Sequence, residues 1–383
     1  MSRAREGAGV GAGQGAGQGA GREDGRGAGH EKRQGARSLL ITGACGYVGS
    51  LLTRFLARDR QGIESILAAD LRVPGPEARE EGVTYEVLDV RSSGLAGALR
   101  EHRIDTVVHL AAIVSPRPEM TREFLREVEV EGTRNLLEAC VAAGVEKVVV
   151  TSSGAAYGYH ADGERWLTEE SPLRGNPEFA YSDHKRLVEE MLADYRERHP
   201  ALGQLIFRVG TVLGETVSNQ ITALFEKPVV LGLAGAPTPF VFIWDEDMVR
   251  ILARGVHTGI CGIFNVAGDG TLTLREIARR LGKPYLELEP SHVERGLGVL
   301  QRLGLSRYGP EQVGFLRYRP VLANDRLKEV FGYRPALTSR EVFELYARAR
   351  VRSSARASAR SSARASARNR ARTSARSSAR DRG

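Results

Sequence analysis

The chain has 383 residues, of which 42% are hydrophobic and 27% are charged, and its formal net charge is +8 at pH 7. That length allows a large buried core, and no apolar run reaches the roughly 20 residues that a membrane-spanning helix needs. The N-terminus also lacks the apolar centre of a signal peptide, so the sequence predicts a cytoplasmic protein without a membrane partner.

The two ends of the chain differ from its middle. Residues 1–37 are dominated by Gly, Ala and Gln, and residues 351–383 repeat Ser-Ala-Arg with almost no large apolar side chain. Neither segment can bury enough surface to offset the entropy of ordering it, so both are predicted to be disordered. The basic excess lies in these ends, and residues 38–350 carry a net charge of −4. The charge therefore gives no reason to expect a specific nucleic-acid partner, although the arginine-rich tail attracts anions non-specifically.

The first predicted elements surround a glycine-rich turn. An apolar strand is followed by residues 42–49, with glycines at Gly43, Gly46 and Gly49, and then by a helix-like segment. This order of strand, turn and helix is that of a dinucleotide-binding fingerprint. There Gly43 permits the tight turn, Gly46 lets the backbone approach a pyrophosphate, and Gly49 lets the helix lie close to the sheet. The other turn residues expected beside the cofactor are Cys45, Tyr47 and Val48.

Two carboxylates follow at the ends of the next strands. Asp70 lies about 20 residues after the turn, where it can accept hydrogen bonds from the adenosine ribose, which favours NAD over NADP. Arg72 keeps NADP open, because a guanidinium there can pair with a 2′-phosphate. Asp89 either meets the adenine edge or forms a turn, and its neighbour Val90 is expected at the same end of the cofactor.

Apolar runs alternate with amphipathic segments along residues 38–210. The predicted strands are 39–42, 65–69, 83–88, 106–110, 147–151 and 204–209, and the clearest helices are 124–143 and 183–198. Continuous apolar strands separated by helices predict an α/β fold with a Rossmann-type, doubly wound parallel sheet. Residues 211–346 are predicted to form mainly a small C-terminal α/β substrate lobe, interleaved with the sheet.

Three cysteines, Cys45, Cys140 and Cys261, are odd in number and widely spaced. They indicate neither a disulfide framework nor a zinc site, so we expect buried thiols and no metal.

Four segments together resemble a known family. In chain order they are 42–49, 107–112, 151–158 and 181–185. They are similar to the extended short-chain dehydrogenase/reductases, and in particular to the NAD-dependent epimerase/dehydratase branch that includes UDP-glucose 4-epimerase. The resemblance spans about residues 38–346. It implies an NAD-dependent enzyme that transfers hydride at a carbinol or keto carbon of a small-molecule substrate.

The resemblance also implies three catalytic residues. Tyr181 would be the general acid/base, but free tyrosine has a pKa of about 10 and is a poor base at neutral pH. Lys185 lies four residues later, on the same helix face, where its ammonium is expected to lower the phenol pKa and to bind the nicotinamide ribose. Ser153 would hold the substrate oxygen near Tyr181.

Further positions follow from the same resemblance. The stretch Leu110, Ala111 and Ala112 is expected to pass the cofactor mainly with its backbone, while His109 is expected to be a packed strand-end residue. Ser152 is the second candidate, after Ser153, for the hydroxyl that holds the substrate oxygen.

Two positions bear on the substrate, and three polar positions bear on the fold. Tyr157 either contacts substrate or closes the pocket, and Thr211 offers one hydrogen bond where nucleotide-sugar enzymes often have Asn. Asn135 is expected to order structure or water, Asp247 to cap the helix after it, and Thr273 to begin a capping box with Glu276.

Alternatives to a nucleotide-sugar epimerase remain open. Thr211 and the apolar C-terminal residues also suit a 3β-hydroxysteroid-type dehydrogenase or ketone reductase. A non-catalytic dinucleotide-sensing protein is a third interpretation, although such a protein has no need of Ser153, Tyr181 and Lys185. Relatives often form a homodimer through helices near 119–143 and 179–199, which the sequence itself does not establish.

Overall fold

The computed structural model describes residues 35–305 and 309–352, without the side chains of residues 311 and 312. Two boundaries differ from the predicted ones. Residues 35–37 belong to the fold, since Ala36 is buried and its N–H donates to the carbonyl of Val256. Residues 351–352 continue the last helix. The remainder of both predicted disordered extensions lies outside the described residues.

A seven-stranded parallel sheet forms the centre of the protein, in the order β11-β6-β5-β4-β1-β2-β3. The six predicted strands are all present, with bounds that differ by one or two residues, and the C-terminal part supplies the seventh. The strands are β1 Ser38–Thr42, β2 Ser65–Asp70, β3 Thr84–Val87, β4 Thr106–His109, β5 Lys147–Ser153, β6 Gly203–Val209 and β11 Gly262–Val266. The predicted α/β Rossmann-type fold is confirmed.

The chain order creates a crevice at one edge of this sheet. From β1 the chain moves outward to β2 and β3 and then crosses back to β4, on the other side of β1. Thr42 at the end of β1 pairs with Ala69 on one side and His109 on the other. Ligands of such sheets bind beyond the carboxyl ends of the strands where the order reverses.

Helices cover both faces of the sheet, which is why its strands are continuously apolar. On one face, α1 and α7 pack with residues such as Leu52, Leu252 and Phe207. On the other face lie α2, α4 and α5. The helices are α1 Tyr47–Arg58, α2 Leu95–Glu101, α3 Arg122–Arg126, α4 Gly132–Ala143, α5 Ala180–Arg198, α6 Gln220–Glu226, α7 Asp245–His257, α8 Leu274–Arg280, α9 Pro290–Arg302, α10 Glu311–Arg317, α11 Asp325–Glu329 and α12 at 339–352.

The predicted helix at 124–143 is interrupted. A π-helical turn, Glu127–Glu131, separates α3 from α4. The Thr133 hydroxyl donates to the main-chain carbonyl of Glu129 over 2.6 Å within this region. π-helical turns often occur at functional sites.

The C-terminal residues form shorter elements around their own aromatic core of Phe225, Phe240, Phe242, Phe343 and Tyr346. The strands here are β7 Thr211–Leu213, β8 Val230–Leu233, β9 Pro239–Phe240, β10 Phe242–Trp244, β12 Leu272–Thr273 and β13 Tyr285–Leu288. The capping box of Thr273 and Glu276 is confirmed at the start of α8.

Two expectations about single residues were wrong. Asp247 does not cap α7; it lies inside the first turn, where its carboxylate accepts hydrogen bonds from the Tyr333 hydroxyl and the Ala336 N–H. It therefore ties α7 to the segment after α11. Of the three free cysteines, only Cys140 is buried, while Cys45 and Cys261 are partly exposed.

Within residues 35–305 and 309–352, no helix combines the length and apolar character needed to cross a membrane.

Candidate active site

The glycine turn between β1 and α1 has the geometry expected of a dinucleotide cradle. Gly43 has φ +68°, and a Cβ there would lie 2.7 Å from the main-chain nitrogen of Ala111. A Cβ on Gly49 would lie 2.2 Å from the carbonyl oxygen of Gly43, so α1 can approach the turn only without a side chain there. Gly46 is in an extended conformation that any residue adopts, but a Cβ there would lie only 3.1 Å from the carbonyl oxygen of Gly43, so the turn favours glycine by close approach rather than by backbone conformation.

Asp70 reaches this turn from the end of β2. Its carboxylate accepts hydrogen bonds from the N–H groups of Cys45 at 2.9 Å and Leu71 at 2.8 Å. The carboxylate is thus fixed beside the N-terminus of α1, where the sequence predicts the adenosine ribose. The Cys45 thiol contacts the carbonyl of Arg72 at 3.1 Å.

The remaining predicted cofactor residues lie around the same crevice. Asp89 is held in a local turn by Arg91, whose main-chain N–H and guanidinium both donate to its carboxylate. Val90 is buried, and its carbonyl accepts a hydrogen bond from the Asn135 side chain, which shows that Asn135 orders structure as expected. Leu110, Ala111 and Ala112 follow β4 directly, next to Gly43.

Tyr47 and Val48 begin α1, and the Tyr47 hydroxyl donates to Asp245 at the start of α7 over 2.5 Å. The first turn of α1 is therefore bonded to the C-terminal part of the chain.

The structure brings the three predicted catalytic residues together. Ser153 ends β5, and Tyr181 and Lys185 lie one turn apart at the start of α5. The Ser153 side chain lies near enough to the Tyr181 hydroxyl to lower the pKa of that phenol. The Lys185 ammonium lies 5.8 Å from the centre of the Tyr181 ring and 3.5 Å from the Thr151 carbonyl.

The electrostatics of Tyr181 differ from the expectation. Burial raises its pKa to about 12, the neighbouring Ser153 side chain lowers it in part, and the charge of Glu129 raises it further. Lys185 alone therefore does not give the low phenol pKa that we expected. The positive charge of a bound NAD⁺ nicotinamide ring would lower this pKa.

His109 is a packed residue, as predicted. One ring nitrogen lies 2.8 Å from the Thr42 hydroxyl and the other 3.1 Å from the Thr133 hydroxyl. Burial lowers the pKa of His109 to about 3, helped by the charge of Lys185. The ring is neutral at physiological pH and is not a base for the reaction.

Of the three predicted substrate residues, Ser152 and Tyr157 already use their side-chain hydroxyls within the protein, and Thr211 lies in a separate two-stranded sheet. Ser152 faces the opposite side of β5 from Ser153, because successive residues of a strand alternate, and it donates to Glu189 over 2.6 Å. The Tyr157 hydroxyl is 2.8 Å from the Asn265 side chain and accepts from Arg208, so it has no free bond for a substrate. The Thr211 N–H donates to Val241, and its strand pairs with β10.

A cleft of about 500 Å³ opens beside Tyr157 and Gly158. It lies next to the triad rather than over it, since Ser153, Tyr181 and Lys185 are not among its lining residues. Tyr159 lies in the chain between Gly158 and His160, which line the cleft. Its ring centre is 5.7 Å from that of Phe179, two residues before Tyr181.

Arg319 lines this cleft and was not predicted from the sequence. Its guanidinium lies 4.1 Å from the ring centre of Phe240 and 4.8 Å from that of Phe315. Its Nε and Nη1 atoms are buried without a hydrogen-bond partner among the described residues. Burial lowers the pKa of Arg319 to about 10, which still leaves a cation at neutral pH. Two buried N–H donors left unpaired on a cationic side chain are costly, so an anionic group suits these donors of Arg319.

These features define an NAD-dependent enzyme of the extended short-chain dehydrogenase/reductase type. The glycine cradle and the Asp70 carboxylate fit NAD, and Ser153, Tyr181 and Lys185 lie beside the crevice that would hold it.

Comparison with known proteins gives the family. The model of the NAD dependent epimerase/dehydratase family matches residues 39–251, more than half of the chain, and the protein belongs to that family. A UDP-glucose 4-epimerase of Mycolicibacterium smegmatis is 29% identical over 324 residues, covering 79% of this chain and 95% of the relative.

Two solved structures have a similar fold. The UDP-glucose 4-epimerase of Thermus thermophilus, in complex with NAD, is 26% identical with a TM-score of 0.63, over 81% of this chain and 98% of that one. MoeE5, in complex with UDP-glucose and NAD, is 25% identical with a TM-score of 0.63, over 82% and 99%. The cofactor of this protein is accordingly NAD.

Proposed function

We propose that the protein is an epimerase that inverts one carbinol carbon of a nucleotide sugar, with Tyr181 as acid/base, Lys185 as its cationic neighbour and Ser153 as the group that orients the substrate oxygen. The observation that carries this proposal is the joint position of these three side chains beside the glycine cradle.

Each residue has one task in this reaction. NAD, held by the glycine cradle and Asp70, would supply the hydride acceptor and donor for the substrate carbon. Tyr181 takes the hydroxyl proton as the carbon is oxidised and gives it back as the carbon is reduced. Ser153, beside the Tyr181 hydroxyl, holds the substrate oxygen within reach of that proton. Lys185 stabilises the phenolate by its charge.

The turn after Ser153 offers no free acid or base for a loss of water. Elimination from a sugar needs a base and an acid in addition to the group that serves the oxidation. The turn Gly154–Tyr157 carries only glycine and alanine before Tyr157, whose hydroxyl is already bonded. Epimerisation needs a single acid/base, because the same group removes and returns the proton.

The substrate class is supported by Arg319. Its cation lies between two aromatic rings with two N–H donors unpaired among the described residues, in a cleft next to the triad. A diphosphate has the charge and the oxygen acceptors that such a guanidinium binds. The epimerase relatives and the UDP-glucose complex of MoeE5 support the same class.

An assay of the NAD-loaded protein with UDP-glucose and UDP-galactose tests the proposal. We expect interconversion without net NADH, and a loss of kcat of at least about 100-fold in Tyr181→Phe. Tyr195→Phe is the matched control, because Tyr195 lies at the far end of the same helix. Equal activity of the two variants would refute the role of Tyr181.

A second comparison tests the anion site. Arg319→Met should raise KM for the nucleotide sugar by about 100-fold or more with little change in kcat, because it removes a charge-assisted contact to a remote group. Arg317→Met, at an exposed arginine of the same cleft, is its control. Net turnover of NAD with a hydroxysteroid and no sugar interconversion would favour the dehydrogenase interpretation instead.

A further inference from the structure

A buried pair, Glu129 and His184, joins the π-helical turn to α5 and takes no part in the proposed reaction. Glu129, in the π-helical turn between α3 and α4, lies 3.1 Å from Nδ1 of His184 on α5. The two side chains are 3% and 1% exposed. The other carboxylate oxygen of Glu129 accepts from the N–H of Ile113, just after the cofactor-lining stretch that ends at Ala112. Glu129 thus bridges the cofactor side of the crevice and the helix that carries Tyr181 and Lys185.

The hydrogen bonds of this pair indicate its charge. Nε2 of His184 is buried without a hydrogen-bond partner among the described residues. A proton on Nε2 would be a buried donor with nothing to bond, which costs more than a buried acceptor left unpaired. The ring is therefore neutral, with its proton on Nδ1 donated to Glu129. Since Glu129 also accepts from Ile113, its carboxylate is ionised, and the pair keeps one negative charge.

That charge acts on Tyr181. The groups that face the Tyr181 phenol are Lys185 on its own helix, Glu129 from the π-helical turn and Tyr159 from the segment after Gly158. Lys185 in turn faces the neutral His109. Of these neighbours only Glu129 is anionic, so it alone opposes the phenolate that Lys185 stabilises.

We propose that Glu129 and His184 form a buried pair of net charge −1. The pair fixes the π-helical turn against α5 and favours the protonated phenol of Tyr181. They are positioning residues, because both are buried and bond to other protein groups, Glu129 to Ile113 and His184 to Glu129. The charge of Glu129 opposes ionisation of Tyr181, and the positive charge of bound NAD⁺ would favour it. This inference rests on the proposed role of Tyr181.

Three variants of the NAD-loaded protein separate charge from shape. Glu129→Gln removes the charge and keeps the volume. His184→Gln keeps a neutral donor to Glu129 and hence the net charge. Glu131→Gln makes the same chemical change on the same turn, at a glutamate that is 42% exposed and paired with Arg126 and Arg134. Each is measured with and without Tyr181→Phe, and the difference in tyrosinate absorbance against pH isolates the titration of Tyr181.

We expect Glu129→Gln alone to move this titration to lower pH, giving roughly three- to tenfold more phenolate at a fixed pH below the midpoint. The pH profile of the oxidation step should move in the same direction. An unchanged titration in Glu129→Gln would overturn the proposal. A move to higher pH in His184→Gln would also overturn it, because the imidazole would then have been a cation cancelling the charge of Glu129.

The absorbance does not require turnover, so it separates this inference from the proposed function. A shifted titration in a protein that converts no sugar nucleotide would leave the pair intact and refute the epimerase. If Glu129→Gln does not fold, ¹⁵N NMR of the unmodified protein at the assay pH decides the matter. A neutral His184 ring with its proton on Nδ1 supports the pair, and a doubly protonated ring overturns it.

Discussion

A buried ion pair beneath the active site offers a test of what stabilises this fold. Glu189 on α5 binds Arg208 on β6 through two parallel hydrogen bonds, from Nε at 2.9 Å and from Nη2 at 2.8 Å. The side chains are 2% and 4% exposed. Ser152 donates to the same carboxylate, and Arg208 also donates to the Tyr157 hydroxyl. The pair thus joins β5, β6 and α5.

Glu189→Gln should leave the shape of this cluster intact and leave the Arg208 cation without its counterion. Removing one partner of a buried pair costs about 3–5 kcal/mol, because the remaining charge is desolvated and uncompensated. For a protein of this size we expect a fall in Tm of roughly 5–8 °C. Thermal unfolding followed by circular dichroism measures the Tm, and urea unfolding measures the free energy, with the m-value checked for change.

The control is Asp194→Asn on the same helix. Asp194 pairs with Arg198 one turn later, and both side chains are more than half exposed, so the loss should be below about 1 kcal/mol. If Glu189→Gln costs no more than Asp194→Asn at unchanged m-value, solvent reaches the cluster and the burial argument is wrong.

Three further outcomes follow from the cofactor crevice. Gly49→Ala should weaken NAD binding at least about tenfold, by isothermal titration calorimetry, because its Cβ would force α1 away from the turn. Unchanged NAD affinity in Gly49→Ala would show that the turn can shift to accommodate a Cβ. Asp70→Asn should lower the ratio of kcat/KM with NAD to that with NADP, since it removes the charge that repels a 2′-phosphate; an unchanged ratio would assign selectivity elsewhere. Asn135→Ala should cost about 1–3 kcal/mol in urea unfolding, because two carbonyls, of Val90 and Ser92, lose their donor. An unchanged free energy of unfolding in Asn135→Ala would mean that water replaces the lost amide donor at these two carbonyls.

The fold and the cofactor cradle were largely predictable because they depend on local pattern. Continuous apolar runs identified the strands, and the spacing of Gly43 and Gly49 identified a turn whose geometry the structure confirms. The neighbourhood of Ser153, Tyr181 and Lys185 was predicted from family resemblance, since more than 25 residues separate Ser153 from Tyr181 and no local pattern joins them.

The features that the sequence did not predict depend on contacts between residues far apart in the chain. Arg319 meets Phe240 across almost 80 residues, and nothing near it distinguishes it from Arg317, the exposed arginine two positions earlier. His184 lies between Tyr181 and Lys185, and only those two residues were assigned a role from the sequence. Glu129 lies in a π-helical turn, and the helical pattern of residues 124–143 does not predict that interruption. Ser152 was ranked by proximity in sequence, whereas strand alternation turns it away from Ser153.

The seventh strand has a consequence for how the chain is made. β6 pairs with β11, and residues 210–261, which include more than a third of the C-terminal part, are synthesised between them. Until residue 266 has left the ribosome, β6 is an open edge whose unpaired N–H and carbonyl groups invite pairing with other chains. A fragment that stops after α7 therefore keeps Ser153, Tyr181 and Lys185 yet lacks the strand that covers β6, so it should aggregate during synthesis. The N-terminal six strands thus depend on a later part of the chain to cover the edge of their sheet.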